Sequence, residues 1–144
     1  MEQVKVARHF DAPAERVWEV YTDHARWSEW AGFPKSWIEK PGVPLTNGSG
    51  CVRGFGAMGS KTFETIHEFD PPHRMTYSIL KGGLPIADHF GEVSFEPDGD
   101  GSRIVWQCRF RSRVPLMGLV LQRFITRFFR NALDGLAKHS FPDA

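Results

Sequence analysis

Hydrophobic and polar positions alternate most regularly near the end of the chain, in Ser102–Arg113. Ile104, Trp106, Cys108 and Phe110 fall on one side, and Arg103, Gln107, Arg109 and Arg111 on the other. That is the period-2 pattern of a strand with one buried and one wet face. Shorter runs of the same kind precede it, each closed by turn residues: Cys51–Ala57 before Met58-Gly59-Ser60, Lys61–Phe69 before Asp70-Pro71-Pro72, Arg74–Leu80 before Lys81-Gly82-Gly83, and Ala87–Glu96 before Pro97–Gly101. Successive strands joined by tight turns predict an antiparallel meander. Met75, Tyr77 and Ile79 form the expected inner set of one strand. His89 shares parity with Gly91, Val93 and Phe95 and is placed on the inner face of the next.

The first 40 residues read differently. Gln3–Phe10 alternates as a strand. Asp11-Ala12-Pro13-Ala14-Glu15 starts a helix with a proline and a first-turn acid, and that helix buries Val17, Trp18 and Tyr21. Asp23 can cap a second short helix carrying Trp27 and Trp30. A loop rich in Gly and Pro brackets a short strand, Ser36–Glu39.

After the last strand the period changes to that of a helix. From Pro115 to His139 no proline intervenes, and Met117, Leu121, Phe124, Ile125, Phe128 and Ala132 share an arc of about 100°. Such a helix, about 24 residues and roughly 36 Å long, crosses the whole domain. Its stripe and the apolar face of a sheet of about seven strands must bury each other, because neither has another partner. The expected fold is α+β: one domain over residues 1–144, with a curved antiparallel sheet wrapped around the C-terminal helix and two short helices after the first strand. Leu116, Leu119 and Val120 project away from that stripe, beside Arg123, Arg127 and Arg130. They either pack under the loop Gly32–Pro44 or form a contact patch for a second subunit or a membrane.

Composition adds an aromatic excess: 12 Phe, 5 Trp and 2 Tyr in 144 residues, ring surface that can line a cavity as well as fill a core. Charge adds an asymmetry. Residues 1–100 hold 10 Lys/Arg against 15 Asp/Glu, a sum of −5. Residues 101–133 hold seven arginines and no acid. The basic segment either neutralises the acidic remainder or offers a face to an anionic ligand, partner or membrane. Cys51 and Cys108 have no metal-ligand or C-x-x-C spacing, and the N-terminus has no signal pattern, so a reduced, cytoplasmic protein is expected. Six scattered histidines argue against a metal centre. No G-x-S-x-G, H-E-x-x-H or phosphate-binding glycine loop occurs, so neither a metal nor another cofactor is expected. The arginine excess has no groove-reading or stacking motif beside it, and nucleic acid is not an expected partner.

Three stretches carry a resemblance. FDAPAERVWEVYTDHARWSEW resembles the opening of START-like (Bet v 1-like, or SRPBCC) helix-grip proteins. EFDPPHRMTYSI resembles the mid-sheet hairpin of their bacterial polyketide cyclase/dehydratase and lipid-transport group. GEVSFEPDGDGSRIVWQCRF, with the long helix after it, is similar to their last hairpin and C-terminal helix. The resemblance implies a deep hydrophobic cavity between sheet and helix. It also implies varied roles: carriage of lipids or hydrophobic metabolites, polyketide cyclisation, and sensing.

On that architecture the cavity is expected to be lined by Arg53, Phe55, Glu64, Ile66, Tyr77, His89, Trp106 and Phe110 from the strands and by Met117, Leu121, Phe124 and Phe128 from the helix. Trp27, Trp30 and Phe33 are expected at its mouth. Such a lining, apolar with a few polar anchors, suits a small hydrophobic ligand, bound by a monomer or homodimer. Phe55 places Arg53 inward and Val52 places it outward. An inward Glu64 needs a partner, and an Arg53–Glu64 pair across neighbouring strands is one solution. His89, Tyr77, Glu64 and Arg53 are also the candidates for an aromatase/cyclase or dehydratase-type enzyme. A membrane-surface lipid carrier using the basic C-terminal region is the third reading.

Overall fold

The computed structural model describes residues 1–57 and 60–142; Met58 and Gly59 of the expected turn Met58-Gly59-Ser60 lie outside the described residues. The chain runs β1 (Glu2–Phe10), α1 (Ala14–Tyr21), a 3₁₀ helix (His24–Glu29), β2 (Lys35–Lys40), β3 (Val52–Ala57), β4 (Ser60–Asp70), β5 (Arg74–Gly82), β6 (Ile86–Asp98), β7 (Gly101–Ser112) and α2 (Gly118–Ser140). The strands form one antiparallel sheet in the order β1-β7-β6-β5-β4-β3-β2. The first strand therefore closes onto the last, and the short helices bridge from one edge of the sheet to the other.

Local chemistry accounts for most boundaries. The carbonyl of Pro13 accepts from the amides of Arg16 and Val17 at 3.0 and 3.2 Å, opening α1. α1 then buries Val17, Trp18 and Tyr21. The second short helix is 3₁₀, and Asp23 occupies its cap position without a side-chain hydrogen bond. In β7 the alternation holds: Ile104, Trp106, Cys108 and Phe110 are buried, while Arg103, Arg109 and Arg111 are exposed. β6 departs from regularity between Ala87 and Phe90, where a bulge holds Asp88 at φ 54°. Aspartate tolerates that left-handed conformation better than most residues. Its carboxylate is held by Arg111 at 2.9 Å.

The C-terminal helix corrects the expectation in two ways. It begins at Gly118, not Pro115, because Leu116 sits at φ 65° and cannot continue a helix. Its buried residues are Leu121, Ile125, Phe129, Ala132, Leu133 and Leu136. Met117 and Phe124 of the expected stripe are exposed, and Phe128 is half-buried. The apolar arc spans about 180°, and the sheet covers the half turned about 60° from the expected one. α2 packs chiefly on β1, with β7 beside it. Near its C-terminus Gly135 lies against the backbone carbonyl of Trp30, where any Cβ would collide. The helix thus rests on one edge of the sheet and on the end of the 3₁₀ helix. The space between it and β3–β5 is left to side chains.

Candidate functional site

That space is a cavity of about 350 Å³, at the low end of the range for small-molecule sites. Its walls are mostly rings. Trp27 comes from the 3₁₀ helix, Phe33 from the following loop, Phe55, Tyr77 and Trp106 from the sheet, and Phe124, Phe128 and Phe129 from α2. These rings brace one another. Trp106 stacks on Phe129 with centroids 3.9 Å apart, and Phe33 stacks on Phe55 at 4.7 Å. Packing of this kind holds the walls apart at fixed positions. The exposed lining residues Gly32, Ser60, Gly83 and Phe124 mark the rim.

Beneath the rings lies a buried polar network. Arg53 and Glu64 are directly opposite in the β3–β4 register. Glu64 Oε1 accepts from Arg53 Nε at 3.0 Å and lies 2.8 Å from Nη2. The guanidinium lies between two rings, 4.0 Å from the Trp27 centroid and 4.9 Å from that of Tyr77, a desolvated cation–π arrangement. Arg53 Nη1 is also 3.3 Å from His24 Nδ1, while His24 Nε2 is 3.0 Å from the carbonyl of Asn47. A carbonyl only accepts, so Nε2 carries the proton and Nδ1 accepts from Arg53. Burial, reinforced by the Arg53 charge, holds His24 well below the ordinary histidine range, in accord with that neutral tautomer.

Three polar groups of this region face the cavity. Only Oε1 of Glu64 is engaged by Arg53, so Oε2 has no hydrogen bond among the described residues. Burial pushes the Glu64 carboxyl up, with Arg53 opposing it. The Tyr77 oxygen accepts from Trp106 Nε1 at 2.7 Å, which leaves the phenolic proton to be donated elsewhere. Burial holds the Tyr77 phenol well above its ordinary value, so that proton stays on. His89, its ring 5.5 Å from that of Tyr77, has a buried Nδ1 without a partner among the described residues. Burial and then the Arg53 charge lower its pKa to about 4. At neutral pH it is an uncharged imidazole, one nitrogen donating and the other accepting.

The structure brings together most of the residues singled out in the sequence. Trp27, Phe33, Phe55, Glu64, Tyr77, His89, Trp106, Phe124 and Phe128 line the cavity. Arg53 points inward but lies under the lining, covered by Trp27 and Tyr77. Ile66 and Phe110 are buried in the core outside the cavity. Trp30 is also core, packed on Tyr21 and Trp27. Met117 and Leu121 do not line it: they share the helical face of Phe124 and Phe128 but stand one to two turns nearer the start of α2. Thr62, Ile79, Ile125 and Phe129 line it without having been singled out as site residues. Thr62 shares parity with Glu64, and Ile79 with Tyr77, so alternation carried both. Leu84 and Gly83 come from the β5–β6 connection, where no periodicity speaks. Among the described residues, no cluster of His, Cys, Asp and Glu has metal-binding geometry, and no helix is long and apolar enough to cross a membrane.

The same framework recurs in known structures. A protein from Thermobifida fusca superimposes with TM-score 0.80 at 22% identity, covering 95% of this chain and 91% of its own. A START superfamily protein from Mycobacterium smegmatis gives 0.79 at 11%, covering 93% of each. Norcoclaurine synthase from Thalictrum flavum, solved with dopamine and hydroxybenzaldehyde, gives 0.76 at 15%, covering 99% of this chain and 88% of its own. At these identities the likeness is one of fold. No curated protein matches the sequence. The family model for polyketide cyclase / dehydrase and lipid transport does match, from residue 1 to residue 140. With that match running almost end to end, the chain belongs to the polyketide cyclase/dehydrase and lipid-transport family.

Proposed function

We propose that the protein binds a compact, largely apolar molecule, with one polar group, in the cavity between the sheet and α2, as a carrier or sensor of that molecule. The observation that carries this reading is a ring-lined cavity with unspent hydrogen-bonding capacity at one end. Glu64 Oε2 accepts, Tyr77 donates and neutral His89 can do either. A hydroxylated or carbonyl-bearing ring compound satisfies both the walls and the polar end. A volume of about 350 Å³ suits such a molecule better than a two-chain lipid. In the norcoclaurine synthase structure the same fold holds a phenolic amine and a hydroxylated aromatic aldehyde.

Binding of N-phenyl-1-naphthylamine, followed by its fluorescence, tests the reading. The probe should saturate a single site, and Ile79→Trp, which fills the cavity, should abolish binding while the protein still melts cooperatively. If the probe fails to bind, or binds the Ile79→Trp protein equally well, the cavity is not a ligand site.

A second reading, an aromatase/cyclase or dehydratase, is favoured by one feature: Glu64 is a cavity carboxyl with a free oxygen and a pKa moved toward neutrality. Efficient proton transfer needs a pKa near the working pH. His89 and Tyr77 have both moved away from it. On this reading Glu64→Gln abolishes turnover of a polyketide-like substrate but retains the naphthylamine probe. Full turnover in that variant eliminates the enzyme.

A further inference from the structure

The polypeptide between the last strand and the middle of α2 has an unusual surface. Val114, Leu116, Met117, Leu119, Val120 and Phe124 are all exposed. Leu116 is 100% exposed, and Leu119, Val120 and Phe124 are 52%, 53% and 58% exposed. Isolated exposed apolar residues are ordinary, but six within one short segment form a contiguous patch that soluble surfaces rarely present. The loop Gly32–Pro44, which could have covered Leu116, Leu119 and Val120, leaves them open.

Two features mark the patch as more than leftover hydrophobicity. Leu116 holds φ 65°, a left-handed conformation costly for a branched side chain. Glycine would hold the same turn without strain, yet here the turn presents a fully exposed leucine at its tip. A local rule broken in this way is the kind of conflict found at functional surfaces. The second feature is charge. On the outer face of α2, Arg123, Arg127 and Arg130 interleave with Leu119, Val120 and Phe124 within an arc of about 140°. Among the described residues none of the three forms a salt bridge, and residues 101–133 contain no acid.

We propose that this face, from Val114 to Arg130, docks on an anionic lipid bilayer, with Leu116, Leu119, Val120 and Phe124 entering the acyl boundary and the three arginines lying among the headgroups. A helix face of apolar residues flanked by arginines has the chemistry of interfacial binding. A second copy of the chain fits less well. A two-fold contact sets the same patch against itself, so it would oppose arginines to arginines; the nearest carboxylates stand at the margins, Glu2 against Gly118 and Asp134 one turn beyond Arg130, where Arg8 already holds it. Phe124 belongs to both the patch and the cavity rim, so docking turns the mouth of the cavity to the membrane. The inference stands on the surface alone and does not require the cavity to hold a particular ligand.

Co-sedimentation with vesicles tests it. The full chain should pellet at low salt with phosphatidylcholine vesicles containing about one-third phosphatidylserine, and pellet poorly with phosphatidylcholine alone. Raising the ionic strength should release it, since exposed charges are screened. Leu116→Asp alone, Leu119→Asp with Val120→Asp, and Arg123→Gln with Arg127→Gln should each weaken partitioning by about tenfold. All three variants should keep the naphthylamine binding and the melting temperature of the parent, which separates a failure of docking from a failure of the cavity. The Leu116 side chain is wholly exposed, so its variant remains informative if the double aspartate variant misfolds. The proposal is overturned if the parent protein does not pellet at low salt, or if it pellets and no variant weakens it. It is also overturned if sedimentation velocity shows a dimer that the aspartate variants dissociate while vesicles are ignored.

Discussion

Replacing Arg53 by methionine removes one half of a buried ion pair and leaves the other half in place. Arg53 is 0% exposed and Glu64 5%, and two guanidinium nitrogens lie 2.8 and 3.0 Å from one carboxylate oxygen. At that separation an effective dielectric of about 20 gives roughly 5–6 kcal/mol of attraction. Much of it offsets the desolvation of the two charges, so the intact pair adds little net stability. Breaking it is another matter, because an uncompensated buried carboxylate costs about 3–5 kcal/mol. Against a total stability of about 5–15 kcal/mol, Arg53→Met should be folded but marginal at neutral pH. Arg53→Met with Glu64→Leu should be more stable than the single variant, because no charge is left to solvate.

The variant also has a characteristic pH dependence. Without Arg53, the folded-state pKa of Glu64 rises further above its unfolded value, and the folded state binds the extra proton. Stability should therefore increase as pH falls from 7 toward the unfolded carboxyl pKa, by up to about 1.4 kcal/mol per pH unit inside that window. Urea unfolding followed by far-UV circular dichroism is the right assay, since Arg53 lies on the Trp27 ring and its loss alters the fluorescence directly. A cost below about 1 kcal/mol at neutral pH, or a double variant no more stable than the single, would refute this account of the pair.

Two further outcomes follow from the cavity wall. His89, lowered to about 4 in the folded state against 6.5 when free, binds fewer protons folded than unfolded, so its contribution is complete above pH 6.5 and is lost as pH falls toward 4. The loss is at most about 3 kcal/mol, less what solvent screens, and Glu64 acts with the opposite sign above its unfolded pKa. Urea titrations of His89→Asn should show a shallower acid loss than the parent, and parallel curves would mean that burial does not suppress its charge. Gly91 sits where an added Cβ would strike the Tyr77 ring. Gly91→Ala should therefore displace Tyr77, break the Trp106–Tyr77 hydrogen bond and cost about 1–3 kcal/mol. An unmoved Trp106 indole N–H resonance together with an unchanged melting temperature would show that the ring has room.

Much of the site was legible as parity. Alternation in β7 placed Trp106 inward, and alternation in β5 and β6 placed Tyr77 and His89, because side chains on a strand choose faces two by two whatever lies beyond them. Arg53 was different. Phe55 and Val52 argued for opposite faces, and a one-residue slip in pairing would have turned Arg53 and Glu64 out to solvent. Only the β3–β4 register, with Arg53 opposite Glu64, brings the two charges together inside. His24, held by Arg53 and the carbonyl of Asn47, had no pattern to announce it, since its partners are distant in sequence and one of them is backbone.

The sequence by itself determined the order of elements, the positions of the turns, the sheet as a meander and the presence of a long apolar-sided helix, because each of these depends on interactions within a few residues. The tertiary structure decided how that helix is rolled. Its main apolar arc, from Phe124 round to Leu133, spans about half its circumference, and a helix cannot read from its own residues which part of so wide an arc the sheet will cover. Docking on β1 and against Trp30 at Gly135 buried Phe129, Leu133 and Leu136. It left Phe128 and part of Phe124 to the cavity, and turned the rest of Phe124 out to join Leu119 and Val120, which projected away from the stripe in either rotation. The cavity wall and the exposure of Phe124 are thus two results of one rotation, fixed by where the helix finds backbone close enough to pack against.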